Sequence, residues 1–204
     1  MSESEHRSGP RRPAFFSPSA LEAHGGAYDP TEQIHVAHET AMALVHAGRA
    51  ASDPAVTERL VAIVDDIGLS TLAELWSQRP ARSLPGTLWR LYVLREWVRR
   101  APGDASREYA AGIRFTGPNH AVAGASEPPE PEGMSRLIDE ILRGVFSGDL
   151  AVALERAAAF CRVVSAGRAD ISAGRSSAEH AANLLGMAED LTASARLWRT
   201  GALD

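Results

Sequence analysis

The first residues that could do chemistry are an acid and two histidines in one short segment. Glu32 and His35 are three positions apart, His38 follows three positions later, and residues at this spacing share a helix face. Glu-x-x-His is a motif with which helical bundles bind paired iron ions. The sequence that follows contains no second copy. We therefore predict solvated histidines, and the alternative is a zinc site completed by His120 or His180.

Arg90 is the second candidate, because its helical neighbours are apolar. Residues on the same predicted helix face include Val93, Leu94 and Trp97. A guanidinium in such surroundings needs a carboxylate partner to offset the loss of water. We predict that Arg90 is at least partly buried and paired with Glu155, the acid in the middle of another apolar helix. The alternative is that Arg90 lines a pocket, and this position would indicate that the protein binds an anion or another ligand there.

Further arginines follow Arg90 in the same segment. Between residues 79 and 114, eight arginines outnumber three acids. Arg95, Arg99 and Arg100 are predicted to lie on one side of a single helix. Such a basic face is typical of a surface that binds a protein partner or an anionic ligand, unless acids elsewhere in the fold neutralise it.

Composition excludes several kinds of active site. The chain has no lysine, so a Schiff base and a phosphate-binding lysine are impossible. Its one cysteine, Cys161, lies in an apolar helical pattern and is predicted to be buried and inert. We find no nucleophile elbow, phosphate-binding glycine loop or His-Glu-x-x-His motif. These observations predict no cofactor.

A weak helix-turn-helix pattern occupies residues 61–76, VAIVDDIGLSTLAELW. A recognition helix usually presents basic or amide side chains near its start, whereas this one offers Thr71, Leu72 and Glu74. The net charge of −5 also argues against nucleic acid as a partner. A DNA-binding regulator is therefore the second alternative.

The elements that must position these residues are predicted to be helices. Start signals such as Asp29-Pro30 and Asp53-Pro54 recur, and no segment alternates apolar and polar residues as a strand would. We predict an all-α fold, a single bundle of about seven or eight helices spanning residues 29–204. Residues 115–132, rich in proline and glycine, are predicted to be linker-like and to separate two helical halves.

Residues 1–28 are predicted to be a disordered tail, because they mix Ser, Gly, Pro and both charges without periodicity. Phe15 and Phe16 are unusual in such a segment, and docking of this pair onto the domain is the alternative. The tail lacks the apolar core of a secretory signal, so a cytoplasmic location with no membrane contact is expected.

Three segments carry a resemblance to a known group. They are LPGTLWRLYVLREWVRR (84–100), SGDLAVALERAAAFCRVV (147–164) and LWRTGALD (197–204). They resemble small actinobacterial all-helical proteins of unknown function that often carry the label "DNA-directed RNA polymerase subunit beta". The resemblance covers most of the chain beyond residue 28. It implies an association with the transcription machinery and brings no catalytic residues.

The sequence as a whole favours a non-enzymatic helical module that binds another protein. A partner from the transcription machinery is the more specific form of this hypothesis. The arginine-rich middle and the missing catalytic motifs support it. A metal-dependent or small-molecule-binding bundle enzyme remains the first alternative.

Overall fold

A computed structural model describes residues 29–51, 53–127, 129–172 and 174–204, which form ten α-helices and no strand. The predicted all-α bundle is confirmed, whereas the predicted tail, residues 1–28, lies outside the described residues. The helices are α1 Pro30–Ala50, α2 Pro54–Val61, α3 Ile63–Ile67, α4 Leu69–Trp76, α5 Leu84–Arg100, α6 Pro102–Ile113, α7 Gly117–Ala123, α8 Pro131–Ser147, α9 Leu150–Ile171 and α10 Arg175–Arg199.

Helix starts follow the local chemistry where an acid or serine precedes proline. Asp29 and Asp53 each accept a hydrogen bond at 2.9 Å from the backbone N–H two residues ahead, and proline follows each of them. Ser83 Oγ accepts one at 3.3 Å from the N–H three residues ahead, at the start of α5. These three starts were predicted from the sequence.

Three further cap signals in the sequence, namely Thr71 with Glu74, Asp104, and Ser176 with Glu179, do not cap their helices. In each case the helix begins earlier. Gly68 has a φ of 80° and lets α4 begin at once, so the Thr71 hydroxyl donates to the carbonyl of Ile67 instead. Proline starts α6, and Gly174, with a φ of 118°, precedes α10.

The segment 115–132, predicted to be linker-like, is partly helical. It contains α7, which packs against α9, and the backbone carbonyl of Ala123 accepts a hydrogen bond at 3.2 Å from Arg156 Nε on α9. Glycine and proline lie at the two ends of a short helix here, so these residues do not make the whole of segment 115–132 a loop.

The core is organised around α8 and α9. Helix α9 packs against α6, α7, α8 and α10, and α8 also contacts α1, α2 and α5. One continuous cluster of buried apolar residues runs from α1 to beyond α10. Aliphatic side chains and alanine build most of it, as the low aromatic content of 6% requires. None of the described helices is both long enough and apolar enough to cross a membrane.

Two glycines allow α6 and α9 to approach each other closely. A methyl group added at Gly112 would overlap the carbonyl oxygen of Val163. A methyl group added at Gly167 would overlap the carbonyl oxygen of Glu108. The contact is therefore backbone against backbone, and it sets the positions of the side chains that flank it, including Glu108 and Arg168.

Candidate functional site

A large concave surface lies between α5, α6, α9 and α10, and we call it the main groove. Its polar section has a volume of about 610 Å³ and its apolar section about 260 Å³. The two sections share one wall, made of Trp97, Arg168 and His180. The remaining lining residues are Glu108, Ser172, Ser176 and Ser177 in the polar section and Val93, Leu94, Asn183, Leu184 and Met187 in the apolar section.

An ion pair forms the floor of the polar section. Arg168 Nε donates to Glu108 Oε1 at 2.9 Å, and Arg168 Nη2 lies 2.7 Å from Glu108 Oε2. The second contact is off the N–H direction, so Oε2 has no hydrogen-bond donor among the described residues. The guanidinium also stacks on Trp97, 5.1 Å from the ring centroid. The ion pair therefore carries no net charge and is held in place by these contacts. One of its carboxylate oxygens, Glu108 Oε2, lacks a hydrogen-bond donor among the described residues.

The start of α10 forms the rim of the polar section. No side chain of a described residue caps this helix, so the first-turn N–H groups and the positive end of the helix dipole lie beside Ser176 and Ser177. With Ser172 at the end of α9, the rim offers hydroxyl and N–H donors. Hydrogen-bond acceptors such as carboxylates fit this chemistry.

Arg95, Arg99 and Arg100 do not form the basic surface that the sequence predicted, because Arg95 is buried. Its side chain is 1% exposed and points into the bundle from α5. Nε donates to Asp139 on α8 at 2.7 Å, and Nη2 donates to Asp65 on α3 at 3.3 Å. Burial alone would lower the pKa of Arg95, but the hydrogen bonds that it donates to the two aspartates, with their negative charges, outweigh it and raise that pKa. Arg95 therefore connects three helices and is not a surface residue.

The other two arginines of that predicted face are also paired. Arg99 Nη1 lies 3.6 Å from Asp139 and 3.9 Å from Asp65, so it belongs to the same network. Arg100 Nε lies 2.6 Å from Glu96, one turn earlier on α5. Acids neutralise the arginine-rich side of α5, and no broad basic surface remains there.

Arg90 is 25% exposed, and its predicted partner was wrong. Its Nη1 donates to the carbonyl of Gly86 at 2.9 Å, and its Nε lies 3.8 Å from Asp190 on α10. Glu155 is occupied by Arg199 through two hydrogen bonds, at 2.6 and 2.9 Å. The helix is rotated so that Arg95, and not Arg90, lies in the middle of its buried arc. Arg90 does not line either section of the main groove.

The acid and histidines of α1 do not converge with other ligands. His35 Nε2 lies 3.0 Å from Glu39 on the exposed side of α1, His38 is half-buried, and Glu32 lines a separate groove beside α4. In the described part of the chain, no three His, Cys, Asp or Glu side chains are placed to hold a metal ion. The zinc alternative therefore lacks a ligand set there.

One further hydrogen-bonded chain involves a histidine. The Tyr109 hydroxyl lies 3.1 Å from His120 Nδ1, and His120 Nε2 lies 3.0 Å from Glu127. Burial, aided by the charge of Glu127, raises the pKa of Tyr109 to about 12. The chain ties α7 to α6, beside the stacked ring of Phe160. It lines neither section of the main groove, so its role is to hold α7.

Cys161 is fully buried, and burial raises the pKa of its thiol to about 12. A thiol in this state is neither a nucleophile nor a metal ligand at neutral pH. The predicted inert cysteine agrees with this environment.

Sequence reasoning missed most of the main groove. Glu108 and Arg168 are sixty positions apart and no local pattern links them. Arg95 could have been found, since it lies three or four positions from Leu91, Tyr92 and Val98, all of them buried. In the segment with the helix-turn-helix pattern, Leu72 is buried and Glu74 is exposed.

Three comparisons with known proteins found no match to this chain. No protein-family model matches the chain, and neither a curated protein nor a solved structure is significantly similar to it.

Proposed function

We propose that this protein is a helical module that binds a segment of another protein in the main groove. The observation that carries the proposal is the continuity of an apolar section with a donor-rich section across the shared wall of Trp97, Arg168 and His180. A groove of this kind fits an extended amphipathic segment, and peptide recognition commonly uses such surfaces.

The apolar section supports binding through side-chain burial. Leu94 and Leu184 form its base, and Val93 and Met187 are half-buried along its length. Each aliphatic side chain that a partner buries here contributes about 1.5–3 kcal/mol before the cost of ordering the segment. The flexible methionine suits a surface that must fit several shapes.

The polar section favours an acidic group next to those apolar side chains. Glu108 is already neutralised by Arg168, so the groove has no net negative charge at its base. The rim adds the donors of Ser176, Ser177 and the uncapped start of α10. A carboxylate of the partner is therefore the group that the rim would recognise.

The transcription machinery is the first place to search for the partner. This more specific proposal rests on the resemblance of residues 84–100, 147–164 and 197–204 to proteins that carry a polymerase subunit label. The arginines of α5 favour a protein over nucleic acid as the partner, because acids neutralise them and this helix presents no broad basic surface.

Affinity capture with two matched variants tests the proposal. Asn183 is exposed and lines the apolar section, whereas Ala182 is exposed on the same helix outside it. We expect Asn183→Arg to lose a protein that the wild type and Ala182→Arg both retain from native lysate, because the long charged side chain blocks the groove. Circular dichroism verifies that both variants are folded. Equal retention by the two variants would contradict the proposal.

A further inference from the structure

A second groove lies between α1 and α4, on the side where the described chain begins at Asp29. It has a volume of about 390 Å³ and is lined by Glu32, Gln33, Val36, Glu74, Leu75 and Arg79. The first two turns of α1 are exposed, and the apolar side chain of Val36 (39% exposed) faces this groove. Val36 on α1 and Leu75 on α4 form the apolar part of the lining, next to its two acids.

Arg79 supplies an independent sign of a missing occupant. Its Nε is buried, yet no acceptor for this N–H exists among the described residues. A buried donor without a partner costs about 1–3 kcal/mol, so native structures rarely leave one unmet. Arg79 is one of the residues that line the groove, and a backbone carbonyl is the kind of acceptor that its Nε lacks.

We propose that residues 11–16 of this same chain, Arg-Arg-Pro-Ala-Phe-Phe, occupy the α1–α4 groove. The segment joins the described structure at Asp29, next to the groove. Twelve residues separate Phe16 from Asp29, and the thirteen Cα–Cα steps between the two span up to about 45 Å. The groove begins within about 10 Å of Asp29 along α1, so the segment reaches it easily.

The chemistry of the segment matches the groove. Phe15 and Phe16 supply the apolar surface that Val36 and Leu75 would cover. Arg11 and Arg12 precede them, and Glu32 and Glu74 are the two acids of the lining. Such pairs favour one orientation of the segment in the groove. The main groove stays open for another protein.

A spin label on the segment tests this placement in the full chain. The variant Ala14→Cys can be labelled selectively with a nitroxide, because Cys161 is buried. We expect the methyl signals of Val36 and Leu75 to lose most of their intensity, while those of Val122 and Val152, exposed on other helices, keep theirs. Adding Phe15→Ser and Phe16→Ser should restore the lost signals.

Two results would overturn the placement. One is equal broadening at all four methyl positions, which would show that the segment has no preferred site. The other is broadening that appears only when labelled and isotope-enriched chains are mixed, which would show that a second copy supplies the segment. Neither result bears on the main groove, whose lining residues are different.

Discussion

Replacing Arg95 by methionine is expected to lower the free energy of unfolding by about 3 kcal/mol, the size of effect seen when one partner of a buried ion pair is removed. Methionine fills much of the space but leaves Asp139 and Asp65 with only the more distant, exposed guanidinium of Arg99 as a partner. Both carboxylates retain some access to water, at 25% and 45% exposure, which keeps the loss near the lower end of that range. Urea denaturation measures the change.

The partner substitution shows whether unpaired charge causes the loss. Arg95→Met combined with Asp139→Leu should recover more than half of it, because two apolar side chains can replace a buried pair at little cost. Arg100→Met is the control, since Arg100 is exposed, and its effect should stay within about 0.5 kcal/mol. A small loss for Arg95→Met alone would show that Arg95 is not a structural residue.

Gly167→Ala is expected to destabilise the protein by about 3 kcal/mol or more, at the upper end of overpacking effects. The added methyl overlaps the backbone carbonyl of Glu108, which cannot move without separating α6 from α9. The same shift would pull Glu108 away from Arg168 and disturb the floor of the main groove. The urea midpoint and the integrity of that ion pair in a structure of the variant are the measurements.

Gly186→Ala provides the matched control on α10. Nothing lies within 4 Å of the methyl position at Gly186, and the residue is inside a helix. Alanine is the better helix former, so this variant should be as stable as the wild type or more stable by up to about 1 kcal/mol. If both glycine variants behaved alike, the close crossing of α6 and α9 would be wrong.

Local chemistry made several helix starts predictable. Asp29 and Asp53 precede proline, and Ser83 precedes Leu-Pro, so each cap could be read from a few neighbouring residues. Gly68 and Gly174 moved the starts of α4 and α10, because a positive φ depends on how the chain must turn between packed helices. That turn is set by the tertiary fold.

The ion pairs show more clearly what the sequence alone cannot predict. Helical spacing showed that α5 contains an arginine among apolar residues, but it did not fix the rotation of the helix, so Arg90 was chosen in place of Arg95. The partners of Arg95 come from α3 and α8, thirty and forty-four positions away. Such pairings depend on how helices cross, and Gly112 and Gly167 decide one of those crossings. The main groove could not be predicted for the same reason.

Site-specific photo-cross-linking tests the proposed function most directly. A benzophenone amino acid placed at Asn183 lies inside the main groove, and one placed at Ala182 lies outside it on the same helix. From native lysate, we predict that the probe at Asn183 captures one protein through a segment with apolar and acidic side chains, and that the probe at Ala182 does not. Capture of the same protein equally well from both positions, or only from Ala182, would contradict binding in the groove.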